Sequence, residues 1–107
     1  MIVRLLLPWA AVLVASALAL GQERPALIAR GRELFTAQGC YGCHMVGKTG
    51  TPIGPDLSRV GFKYRESYLV QWLRDPSVQK PTAHMPKIAM TEAEARALAV
   101  WLASLRD

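Results

Sequence analysis

Read as apolar and polar positions, the chain divides into an uncharged N-terminal run and three stretches of helical periodicity. The run extends from Leu5 to Gly21, seventeen residues without a charge behind the single Arg4. A short basic lead before an apolar core is the pattern of a secretory signal, with small residues placed for cleavage after Ala19 or after Gly21. An uncleaved anchor is the rival reading, because the run is at the short end for a membrane-spanning helix and Trp9 suits the headgroup level. Residues 1–21 are thus read as signal peptide or membrane anchor, and 22–107 as one domain that is exported under either reading.

Gln22-Glu23-Arg24 reads as a polar linker, and Pro25 as part of a first helical turn. Leu27, Ile28, Gly31, Leu34 and Phe35 then share one helical face, with Arg30, Arg32 and Glu33 on the other. Gly39 is placed to end that helix in the left-handed conformation. From Met45 to Val60 the glycines and prolines predict loop. A second helix is predicted over Glu66 to Asp75, where Tyr68, Leu69, Trp72 and Leu73 fall on one face and Pro76 stops it. Ser77 to Ala89 reads as irregular, with Pro81 and Pro86 bracketing His84-Met85. Thr91-Glu92-Ala93-Glu94 has the form of a capping box and opens a last helix. Ala95, Leu98, Leu102 and Leu105 make its apolar stripe, with Trp101 on the shoulder. No strand can be read, so the predicted class is all-α.

The chemistry is concentrated between the first two helices. Both cysteines of the chain lie in Cys40-Tyr41-Gly42-Cys43-His44, which matches C-x-x-C-H, the pattern for covalent attachment of a c-type haem. Two thiols at this spacing can each add to one vinyl group of the same porphyrin edge. The histidine that follows is carried to the haem face, where its imidazole can ligate iron. A thioredoxin-like pair normally accompanies a βαβ pattern, which is not seen here, and a zinc site wants four ligands where the chain has two cysteines and two histidines. A disulfide across the two intervening residues competes as a plainer reading. A haem would also help a domain this small, since side chains alone supply a marginal core at such a size.

With these residues in place, the chain from Pro25 to Leu105 resembles a small class I cytochrome c. Gly31 and Phe35 resemble the family's contact with the C-terminal helix, with Leu98 and Trp101 as the partners that this implies. Gly54-Pro55-Asp56-Leu57 resembles the family loop whose proline carbonyl accepts from the proximal histidine, which gives Pro55 the task of fixing His44. Tyr68-Leu69, Trp72-Leu73 and Asp75-Pro76 resemble the middle helix whose aromatic residues, Trp72 among them, line the haem. Met85-Pro86 ahead of a capped helix resembles the axial methionine loop. His84 and Met90 are the competing sixth ligands. Met85 is preferred because the following proline stiffens its loop, while Met90 sits against the helix cap.

The resemblance implies the cytochrome c fold, three main helices around one haem c held by Cys40 and Cys43, with His44 and Met85 on the iron. The implied function is electron transfer, as a periplasmic or membrane-tethered carrier or as the haem subunit of a respiratory or dehydrogenase complex, and not an enzyme on its own. A haem enzyme or gas sensor with a labile sixth ligand is the alternative. The charge bears on the partner. The whole chain is +5, and the segment from Met45 to Lys87 holds seven basic residues against Asp56, Glu66 and Asp75. That excess suggests a basic ring around the haem edge and a redox partner with an acidic docking surface. Export disfavours nucleic acid as the ligand.

Overall fold

A computed structural model gives the fold of residues 21–107. All but Gly21 of the N-terminal segment assigned to export or anchoring lies outside the described residues. The first helix, α1, covers 21–37 and buries Gly31, Leu34 and Phe35, the face that the periodicity marked. The polar linker expected at 22–24 is instead helical. Arg24 reaches Glu66 at 2.8 Å and Arg96 reaches Glu23 at 3.2 Å, so two exposed ion pairs tie this first turn to distant parts of the chain. Partners so remote in sequence leave no local signal. Gly39 follows with φ of 77°, a conformation that costs other residues a Cβ clash, and delivers the chain into a 3₁₀ turn at Cys40–Gly42.

The stretch read as loop contains more order than expected. Met45–Val46 (β1) pairs antiparallel with Thr49–Gly50 (β2), and Gly47 turns between them with φ of 61°. Two residues per strand are too few to display a period. Val60–Lys63 forms a single-turn helix, α2, whose one buried side chain is Val60. The Gly61 amide donates to the Leu105 carbonyl at 2.9 Å, and a Cβ on Gly61 would come within 2.7 Å of the Ala103 carbonyl carbon. Glycine therefore lets this turn press against the C-terminal segment.

The second long helix, α3, is Glu66–Arg74 and buries Leu69 and Leu73, with Tyr68 and Trp72 half-buried beside them. Pro76 does end it, but also opens the next element. Pro76–Gln79 is a further short helix, α4, with Pro76 in its first turn and the Asp75 carboxylate accepting from the Ser77 amide at 3.1 Å. The irregular stretch expected from Ser77 thus begins at Lys80.

Glu92–Ala103 is α5, and both halves of the Thr91–Glu94 capping box are made. Its burial goes beyond the expected stripe. Ala97, Ala99 and Val100 are buried along with Ala95, Leu98, Trp101 and Leu102, because α5 lies centrally, against α3 and α2 and crossed by α1. At the crossing, a methyl group on Gly31 would sit 2.7 Å from the Trp101 Cβ and overlap the Ala97 carbonyl. Gly31 therefore faces Ala97 and Trp101. Leu98, expected as a partner there, is fully buried in the same core cluster as Phe35 and also lines the cavity described next. Phe35 packs on Trp101 with ring centres 5.0 Å apart and meets Tyr41 edge-on at 4.7 Å. The helix crossing and the cysteine turn are thereby one packing unit.

Candidate functional site

The elements enclose a cavity of about 780 Å³, mostly apolar, with Phe35, Leu57, Leu69, Leu73, Leu98 and Leu102 among its walls. All six residues singled out by the sequence line it: Cys40, Cys43, His44, Pro55, Trp72 and Met85. His84 is also on its margin but is exposed, and Met90 packs against the core cluster without lining the cavity.

His44 is held by two neighbouring loop residues. Its Nδ1 lies 2.7 Å from the Pro55 carbonyl oxygen. A carbonyl can only accept, so Nδ1 carries a proton, and in the neutral ring Nε2 keeps its lone pair. Gly54 stands against the same part of the ring. A Cβ there would lie 2.8 Å from His44 Cε1 and 3.1 Å from Nδ1. Gly54 therefore backs the ring directly, which the sequence reading did not find. A glycine preceding proline in a turn-rich loop has an ordinary backbone explanation, and nothing local marks it as a contact with a residue ten positions earlier.

Met85 is positioned by Trp72. The indole Nε1 donates to the Met85 Sδ at 3.1 Å, occupying one of its two lone pairs. Trp72 in turn ends a file of rings that starts at the end of α2 and runs onto α3. Tyr64 stacks on Tyr68 with centroids 4.6 Å apart and planes 10° from parallel, and Tyr68 lies 6.4 Å from Trp72 at 19°. The sequence reading placed Trp72 at the site but not its bond to Met85, since the two are joined only through the intervening α4 and loop.

Both thiols are free, Cys40 buried and Cys43 exposed. Burial pushes the Cys40 thiol above its ordinary range, because an apolar wall disfavours the thiolate. Among the described residues no group of three or more His, Cys, Asp or Glu side chains gathers to hold a bare metal ion, so the zinc reading has no ligand set. The same donors fit a haem. Two free thiols, an imidazole with one open lone pair and a thioether share an apolar cavity, and no buried side-chain polar atom among the described residues is left unsatisfied. The basic residues of the segment from Met45 to Lys87 differ in what they face. Lys63 and Lys80 line the cavity, whereas Arg74 pairs with Glu92 at 3.4 Å and the Arg59 Nε donates to the Asp107 carbonyl.

Known proteins bear on this arrangement in three ways. Residues 28–106 match the family model for cytochrome c. The chain is 35% identical over 86 residues to cytochrome c oxidase subunit 2 of Alkalihalophilus pseudofirmus, a match covering 72% of this chain and 25% of that one. It thus spans about a quarter of the length of that curated relative. The fold is similar to the crystal structure of the c-type cytochrome SorU from Sinorhizobium meliloti, with a TM-score of 0.61 and 21% identity over 76% of this chain and 92% of that one.

Proposed function

The chain belongs to the cytochrome c family, and on that premise we propose that it is a one-electron carrier whose iron is held by His44 and Met85. Haem c is bound covalently through Cys40 and Cys43, the two cysteines of the chain. When bound, it supplies the reversible ferric/ferrous couple; the chain supplies the setting.

One observation carries the ligand assignment. His44 and Met85 line the same cavity, and each already has one polar position engaged, His44 by Pro55 and Met85 by Trp72. Each is left with one free lone pair. The Pro55 bond fixes the ring's tautomer and orientation and raises the basicity of Nε2. The Met85 thioether, as the second ligand, would favour the ferrous state and a raised potential. The apolar walls keep water away. With His44 and Met85 both holding the iron, no open site would remain for substrate, which supports a carrier over an enzyme.

The setting of the carrier is read from two features. Arg4 and the uncharged run behind it support export to the outer face of the cytoplasmic membrane, cleaved or tethered. The relative that is an oxidase subunit supports delivery of electrons to, or membership of, a respiratory complex. The test is potentiometry of the haem-loaded protein. Met85→Ala should fold, lose the iron–thioether charge-transfer band at the red edge of the visible, and fall in potential, while Met90→Ala leaves both unchanged. The reverse pattern would give the ligand position to Met90.

A further inference from the structure

A second concavity lies beside the haem cavity, formed where α2 meets the C-terminal segment. It measures about 460 Å³ and is framed by Phe62, Tyr64, Arg65 and Arg106, with Lys63 shared with the haem cavity. A single exposed apolar side chain carries no message, but an aromatic and cationic pocket does. Phe62 is 62% exposed and Tyr64 43%. The Arg106 guanidinium lies over the Phe62 ring at 5.1 Å. Lys63, Arg65 and Arg106 make no ion pair among the described residues, and the one carboxylate of the pocket, Glu66, is engaged by Arg24. The pocket therefore presents uncompensated positive charge around an exposed ring.

Its geometry is fixed in advance. The Gly61 amide bond to Leu105 and the close approach of Gly61 to Ala103 hold α2 in place, so Phe62 is presented from a braced turn. Rigid aromatic and arginine side chains around a pocket are the make-up of an interface anchor point, and pre-ordering lowers the entropy lost on association. A lipid surface would call for a protruding apolar group, whereas a concavity receives one.

We propose that this pocket docks a redox-partner protein presenting a carboxylate beside an apolar side chain. The proposal rests on the electron-carrier reading and names where that carrier is met. Tyr64 belongs to both cavities and heads the stacked file through Tyr68 to Trp72. A partner seated in this pocket thus meets Tyr64, a ring that itself lines the haem cavity together with Tyr68 and Trp72.

The test uses haem-loaded, isotope-labelled protein and a short glutamate-rich peptide with one central leucine. Amide shifts should cluster at Phe62, Tyr64, Arg65 and Arg106. Phe62→Ala and Arg106→Gln should each weaken binding about tenfold or more, as truncation of an anchor does, while Lys48→Gln on the β1–β2 turn changes it less than about twofold. Shifts scattered over all basic residues, or an equal loss in Lys48→Gln, would reduce the effect to general charge and overturn the proposal. So would wild-type binding by Phe62→Ala. Phosphatidylserine vesicles that perturb the same amides while the peptide does not would assign the pocket to a membrane instead. Redox titration of the same samples separates the two readings. A haem that fails to cycle removes the carrier function, and with it the redox character of the partner, while the shift map still decides whether an acidic surface is bound.

Discussion

Gly54→Ala isolates the clamp on His44, because the new methyl group meets the imidazole before anything else. The added Cβ would lie 2.8 Å from Cε1, and ordinary contact begins near 3.4 Å, so the ring must withdraw by about 0.6 Å. Moved that far from Pro55, its 2.7 Å bond lengthens to about 3.3 Å, past the useful range. The lost bond costs about 0.5–1.5 kcal/mol and the crowding about 1–3 kcal/mol. Against these stands a gain of about 0.4–1 kcal/mol from a stiffer unfolded chain. The net expectation is a destabilisation of about 1–3 kcal/mol in denaturant unfolding of the haem-loaded protein, together with a changed ¹⁵N resonance for the His44 Nδ1. Gly42→Ala is the control. Nothing lies within 4 Å of a Cβ at that position, so the same substitution there should be neutral or slightly stabilising. A Gly54→Ala protein with wild-type stability and an unshifted Nδ1 would refute the clamp.

Two further outcomes concern the frame. Truncating Phe35 or Trp101 to Ala should cost about 3–5 kcal/mol in the same melts, since both are buried and in mutual contact; a loss below about 1 kcal/mol would place them outside the helix crossing. The capping box makes stability depend on pH. The Thr91 amide, and then its hydroxyl, hold the Glu94 carboxyl below its ordinary value of 4.5, so Glu94 contributes stability that is fully present above that value and is lost as pH falls through the lower, folded one. The stability difference between wild type and Glu94→Gln should therefore vanish in that acidic window, and a difference that persists below it would show that the carboxylate is not the source.

What could be read beforehand depended on how far apart the interacting residues lie. The attachment turn, the three long helices and the capping box are local patterns, and each falls where periodicity or motif put it, save the first turn of α1. The bond from His44 to Pro55 was legible only by resemblance, as was the place of Met85 at the cavity. α2, α4 and the β1–β2 pair are too short to carry a period. The donor to Met85, the glycine behind His44 and the all-round burial of α5 arise from how separate elements meet, and no local spacing encodes that. Leu98 shows the difference well. Its position on an apolar stripe was plain, but that it also walls the cavity depends on the rotation of α5, which Ala97 and Gly31 set by permitting a close crossing.

The central claim is a carrier whose haem is closed on both sides by His44 and Met85. Carbon monoxide added to the reduced haem-loaded protein tests it most directly, with Met85→Ala as the sample in which the gas should bind. A wild-type absorption spectrum that stays unchanged is the expected result, because His44 and Met85 together would leave no axial position open. An immediate shift to a carbon monoxide adduct in the wild-type protein would contradict the account and turn the reading toward a gas-binding or catalytic haem.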